Sequence, residues 1–229
     1  MPPPRGKGGT QARQAPKPAL SSRPSLPREF IAIHKRRRIM DALAELTAEQ
    51  GYDATKISDI VRRAGVARKT LYDNFEGKEE VFLAAFDAAR DEVLRRVGES
   101  CAEVDGGWQE RIEAGLAAFL GYIAEEPTLA QMCMIEALSA TPESTKRYEA
   151  AMETFVELAG QNLPQDDRLP ETIDETVVGG VAWIVYQQIR RGETERAEDL
   201  LPELTEFMVA PYLGAGLADA VVEAADEKR

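Results

Sequence analysis

The chain has one histidine, His34, two cysteines, Cys101 and Cys133, and no uninterrupted apolar run of the roughly 18 residues that a membrane helix requires. Each scarcity excludes something. A lone histidine without Cys or His companions gives no metal site, and the sequence holds no phosphate loop, no H-E-x-x-H pattern and no cluster of nucleophile and base. Two cysteines cannot make a disulfide framework; they read as reduced thiols in or near a core, with a redox sensor as the alternative. The N-terminus is basic and proline-rich but lacks the apolar core of a secretory signal, which together with the missing span predicts a cytoplasmic protein without membrane contact. Strand-like alternation is absent too, so the predicted fold class is all-α. No catalytic residue, metal ligand or cofactor is predicted.

What is present is charge, and it is segregated. The net charge of −12 conceals a basic end and an acidic body. Residues 1 to 40 carry ten Lys/Arg against Glu29 alone, residues 41 to 100 carry nine against thirteen acids, and residues 101 to 229 carry nine against twenty-six. Phosphate repels such a body and attracts such an end, which selects nucleic acid as the partner of the N-terminal part. Residues 1–27 hold seven of the thirteen prolines and little that fills a core, so they are predicted to be disordered. They read either as an arm that tracks DNA or as a solvated tail.

The organising stretch is Thr55 to Lys78, TKISDIVRRAGVARKTLYDNFEGK. Ile57, Ile60, Val61 and Ala64 recur at helical spacing, Gly65 supplies a left-handed turn, and Val66 and Leu71 resume the buried face on a second short helix. This is a helix-turn-helix, whose second helix enters the major groove of double-stranded DNA. Arg68, Lys69 and Thr70 are the candidates for base edges, and Tyr72, Asn74 and Lys78 for the backbone. Thr55 is placed to cap the first of these helices. Lys78, at the start of a further helix, suits a phosphate. Upstream, a helix from Arg28 to about Gln50 buries Ile39, Ala42, Leu43 and Leu46, and its basic run Lys35 to Arg38 is either a phosphate track or a solvated face.

Gly-Tyr-x-x-Thr from Gly51, Ala-Gly-Val at the turn and Leu-Tyr-x-x-Phe-x-x-Lys ending at Lys78 together resemble the TetR family of bacterial transcriptional regulators, over roughly residues 35 to 86. Three positions depart from the family's pattern. Val61 replaces alanine, Ala67 replaces the serine or threonine that caps the recognition helix, and Thr47 replaces a large apolar residue. The resemblance implies a three-helix headpiece over 28–79 and a larger helical ligand-binding and dimerisation domain over 80–229. It further implies that Thr55 touches phosphate, that a small effector displaces the helix starting at Lys78, and that the usual outcome is repression.

Past Trp108 the chain is a series of helices punctuated by Gly106-Gly107, Pro127, Pro142, Pro164, Pro170 and Gly192. Helices are predicted to about Glu126, from Pro127, from Pro142 to about Gly160, over about Glu171 to Arg191, and from about Ala197 to Leu213. The last two are more apolar than one core requires, with Gly179 and Gly180 allowing another backbone close, and in the resembled family such helices form a four-helix homodimer interface. A mostly apolar pocket is predicted in the body, with Trp108, Phe119, Tyr122, Met132, Met134, Phe155, Trp183 and Tyr186 as candidate linings. A dimer reads two half-sites, so the operator is predicted to be a near-palindrome. The competing classes are a nonspecific DNA-binding protein relying on the basic arm and, with less in its favour, an all-α enzyme.

Overall fold

The computed structural model describes the backbone of residues 28–226 and the side chains of residues 32–214. The arm of residues 1–27 lies outside the described residues. Among those described, the regular structure is helical throughout, as the sequence predicts. Helix α1 spans Arg28–Gln50, α2 Ile57–Ala64, α3 Arg68–Tyr72 and α4 Lys78–Ala102. In the body, α5 spans Trp108–Glu125, α6 Pro127–Met134, α7 Pro142–Gly160, α8 Ile173–Arg190 and α9 Leu201–Asp226, with short 3-10 segments at Glu136–Leu138 and Thr194–Leu200.

The headpiece forms where the apolar stripes converge. Ile39, Leu43, Ile60, Leu71, Val81 and Phe82 are fully enclosed, so α1, α2, α3 and the first turns of α4 share one core. Gly51 ends α1 at φ +82, and Gly65 ends α2 at φ +61, where its amide donates to the Arg62 carbonyl at 3.2 Å. Ala67, at the start of α3, offers no side-chain cap, so the first turn relies on main-chain bonds from Thr70 and Leu71 to its carbonyl. Thr55 does not cap α2 either. The cap position is Lys56, and Thr55 is only 1% exposed, with its hydroxyl donating to the Gly51 carbonyl at 2.9 Å and accepting from Gln50 Nε2 at 3.4 Å.

This core does not stop at the end of the headpiece. Met132 of α6, Ala137 of the following 3-10 turn and Ala151 of α7 belong to it, which packs α1 against α6. The second core joins α5, α8 and α9 through Leu120, Val177, Val185 and Leu204. Helix α7 starts at a capping box that the sequence reading missed: Ser144 N–H donates to Thr141 Oγ1 at 3.1 Å, and Thr141 N–H to Ser144 Oγ at 3.0 Å. The last helix begins later than predicted. Ala197 sits in the 3-10 segment, where Arg196 has non-helical angles, and the helix starts at Leu201, so that Pro202, which lacks an N–H, falls in the first turn. It then continues through Pro211 to Asp226. Gly180 serves its own subunit: a Cβ there would lie 2.6 Å from the Phe207 ring of α9, so its absence lets α8 and α9 close up, whereas Gly179 faces open space.

Thr47 is fully buried in the headpiece core, and its Oγ1 has no hydrogen-bond partner. A hydroxyl so placed loses its water without replacement, and an isosteric methyl removes that penalty of about 1–3 kcal/mol. Thr47→Val is therefore expected to raise the melting temperature by about 2–4 °C for each kcal/mol gained, as calorimetry would show. A fall in melting temperature would reveal a hidden partner for the hydroxyl.

Candidate functional site

The exposed surface of the helix-turn-helix is held from behind by arginines of α1. Arg36 Nη1 donates to the Asn74 carbonyl at 2.8 Å, with its guanidinium 4.1 Å above the Phe75 ring. Arg38 Nη2 donates to the Ala64 carbonyl at 2.5 Å and the Gly65 carbonyl at 3.3 Å. Both meet main-chain oxygens left without helical partners at the ends of α2 and α3, where a cation is favoured. Half of the basic run read as a phosphate track or solvated face is thus a pair of struts. Arg63 adds a brace outside, reaching Glu45 at 2.8 Å and Glu49 at 2.7 Å on α1.

On this support, α3 presents Arg68 and Lys69, both exposed, and the half-buried Thr70. Tyr72 is 48% exposed and forms a unit with Arg68, whose guanidinium lies 5.7 Å from the ring centroid and whose Nη2 is 3.4 Å from the phenol oxygen. Asn74 is half-buried, and its Nδ2 donates to the Thr70 carbonyl at 2.7 Å, so this amide ends the recognition helix. Lys78 is not free at its helix start. Its Nζ donates to the Tyr52 carbonyl at 2.8 Å and sits 3.8 Å from the Tyr52 ring centroid. Burial pushes its pKa below the usual lysine value, opposed by the nearby Asp53 carboxylate. One N–H of the ammonium is committed and two remain. Thr55, buried as described, leaves no hydroxyl for a phosphate.

The body encloses two neighbouring apolar cavities. The first, with about 730 Å³ of space between atoms including its mouth, lies among α4, α5, α7, α8 and α9. The second, about 500 Å³, lies nearer the headpiece among α4, α5, α6 and α7. Phe119, Met134, Met152 and Phe155 line both and form the partition, with Phe119 and Phe155 meeting edge to face at 6.0 Å. Of the predicted linings, Phe119, Met134 and Phe155 are therefore in place, and Tyr122 lines the second cavity.

The other four lie elsewhere. Met132 is enclosed in the headpiece core, Trp108 packs on Tyr212 at 6.0 Å, and Trp183 and Tyr186 stack on each other at 5.5 Å on α8, with Trp183 57% exposed. The sequence reading missed Met152, Leu158, Val178 and Val181, whose spacing along α7 and α8 does not differ from that of ordinary core positions. It also missed that each cysteine lines a cavity: Cys101 the first and Cys133 the second. Burial raises both thiols, that of Cys133 to about 12, so both stay protonated near neutral pH.

Two side chains of the body reach the headpiece backbone. Tyr52 N–H donates to Glu136 Oε2 at 3.0 Å, and Gln131 Nε2 donates to the Ala48 carbonyl at 3.1 Å. Among the described residues no helix is long and apolar enough to cross a membrane, and no group of three or more His, Cys, Asp or Glu is placed to hold a metal ion.

The family model of bacterial regulatory proteins, tetR family, matches residues 39–85, from within α1 through the helix-turn-helix to the first turns of α4. The fatty acid metabolism regulator protein of Bacillus subtilis is 25% identical over 167 residues, covering 66% of this chain and 84% of that protein. The HTH-type transcriptional activator FasR of Mycolicibacterium smegmatis is 23% identical over 144 residues, 63% of this chain and 64% of that protein. Among solved structures, the fatty acid degradation regulator FadR of Bacillus halodurans superposes with a TM-score of 0.69 at 18% identity, over 76% of this chain and 94% of that one. FadR of Bacillus subtilis in complex with stearoyl-CoA gives 0.64 at 20% identity, over 76% and 97%. The helix-turn-helix thus carries the signature of the bacterial regulatory proteins of the tetR family, and over most of its length the chain is similar to transcriptional regulators of that kind.

Proposed function

We propose that the protein binds a near-palindromic operator as a homodimer and is released from it when a small, mostly apolar effector fills the cavities of the body. The observation that carries this reading is that one helix serves both ends. Helix α4 begins at Lys78 in the headpiece and lines both cavities farther along, through Phe86, Ala89 and Val93 in the second and Val97 and Cys101 in the first. An occupant that moves α4 moves the headpiece. The bond from Gln131 of α6 to Ala48 and that between Glu136 of the following 3-10 turn and Tyr52 give the body a second hold on the end of α1 and the loop after it. A ligand shifts such an equilibrium only by preferring one state, and moving it from 1:99 to 99:1 requires about 5.5 kcal/mol of preference.

The readers of sequence in this proposal are Arg68, Lys69 and Thr70, with Tyr72 and Lys78 on the phosphates and Asn74 holding the helix end. Thr55 acts indirectly, through the loop it fixes. Headpiece and body follow the division at residues 79 and 80, with α4 as the mechanical link. Pairing is assigned to α8 and α9, whose outer faces leave Trp183, Ile184, Phe207 and Leu213 exposed. Exposed large side chains on adjacent helices suit a second copy of the same surface. Relatives named as regulators of fatty acid metabolism support an elongated apolar effector.

Four outcomes test this. Selection of bound duplexes from a random pool is expected to return a two-fold motif with half-sites about 34 Å apart or a multiple of that; a motif without symmetry, or none, overturns it. Arg68→Ala or Lys69→Ala is expected to relax preference at one position per half-site by about 1–3 kcal/mol. Lys78→Ala, by contrast, weakens all duplexes alike and lowers the salt slope by about one per subunit, read by titration at several salt concentrations. Trp183→Asp with Leu213→Asp is expected to give monomers in sedimentation and to lower operator affinity by roughly 10²–10⁴-fold, because the second half-site loses its tether.

A further inference from the structure

The lining of the two cavities decides what charge an occupant can carry. Of the sixteen described residues around the first and the fifteen around the second, Arg90 alone is charged. It is already neutralised: Arg90 Nη1 donates to Asp87 Oδ1 at 3.0 Å and Nη2 to Asp91 Oδ1 at 2.7 Å, while the other oxygen of Asp87 accepts from Arg147. The remaining polar groups are equally committed or uncharged. Cys101 Sγ donates to the Arg111 carbonyl at 3.3 Å, Asn162 Nδ2 donates to the Leu158 carbonyl at 3.0 Å, and Cys133 is held as a thiol by burial.

Around these walls lies a body that carries, over the described residues 101–214, seven Lys/Arg and twenty-two Asp/Glu. An anion entering the cavity meets no counter-charge, and one left at the mouth sits in the negative potential of the acidic body. A cation is drawn to that body but finds no free carboxylate once inside. We propose, on the reading of the cavities as the effector site, that the occupant is an uncharged, elongated apolar molecule. The protein selects against acidic amphiphiles, an acyl-coenzyme A among them. The protonated form of a fatty acid qualifies and its carboxylate does not.

The test compares four ligands with the same twelve-carbon chain on the full-length protein: 1-dodecanol, dodecanoate, dodecylammonium and dodecanoyl-coenzyme A. Binding is read by displacement of an apolar fluorescent dye, and operator release by a shift assay. Dodecanol is expected to bind about tenfold or more tighter than each charged ligand at pH 7.5 and to release the operator. Dodecanoate is expected to gain about tenfold in apparent affinity on lowering the pH from 7.5 to 6.5, since the protonated fraction rises tenfold over that unit. Ala159→Phe, which fills the first cavity, is expected to abolish dodecanol binding; Val178→Phe on the opposite wall serves if that variant does not fold.

If dodecanoyl-coenzyme A, dodecanoate or dodecylammonium equals or exceeds dodecanol at pH 7.5, the charge assignment is overturned while the effector site stands. If none of the four binds, or dodecanol binds both filled variants as it binds the parent, the effector-site reading falls and the charge assignment with it.

Discussion

The main chain of Tyr52 is the joint on which the two halves of the molecule depend. Its N–H is held by Glu136 from the body and its carbonyl by Lys78 from the start of α4. Its ring lies beneath the Lys78 ammonium and meets Phe82 edge to face at 5.2 Å. One residue thus ties the loop before α2 to the first turn of the long link helix and to the segment after α6. A buried backbone amide left without a partner costs free energy comparable to a lost hydrogen bond, so loop, link and body cannot separate at this point without replacing those bonds. That constraint is why the 3-10 turn after α6, far from the helix-turn-helix in sequence, still bears on where the headpiece stands.

The same economy explains the arginines of α1. A basic helix face beside a helix-turn-helix suggests phosphate contacts, yet Arg36 and Arg38 turn to the carbonyl ends of α3 and α2 and donate to them. Short helices need this more than long ones: α3 has five residues, begins at Ala67 without a side-chain cap, and has too few internal bonds to persist alone. Strapping its far end to α1 replaces the support that a capping serine or threonine would give at its near end. The positive charge that the sequence displays here stabilises the helix-turn-helix, while Arg68 and Lys69 are the cations that α3 leaves exposed.

How far the sequence discloses this structure depends on how local each feature is. The stripe Ile39, Leu43, Leu46, the glycines at 51 and 65, and the prolines that open α6 and α7 act within a turn or two, and they locate nearly every helix within a few residues. Thr55 does not take the capping place read for it because its partner, the Gly51 carbonyl, depends on a left-handed glycine that folds the loop back. The cavity was half legible for a similar reason. Aromatic and thioether side chains mark apolar interiors, but whether one faces a void, a neighbour or the outside is set by helix rotation, which put Phe119 and Phe155 on the partition and turned Trp183 outward. The aliphatic walls from α7 and α8 carry no distinguishing pattern at all.

Magnitude links the cavities to the joint. The 5.5 kcal/mol that full switching requires corresponds, at about 0.8 kcal/mol per buried methylene, to roughly seven methylenes buried in one state and not in the other. A ligand confined to the first cavity, at the far end of α4, has little reason to bury so different a length in the two states. A chain that crosses the partition does, because the second cavity adjoins Phe86 and Ala151, which are themselves part of the headpiece core. Displacing Phe119 or Phe155 opens the path from the first cavity into the second, and the methylenes that follow lie against the core in which the joint at Tyr52 is set. On the proposed reading of the cavities as the effector site, chain length past the partition is the quantity that the body converts into headpiece position.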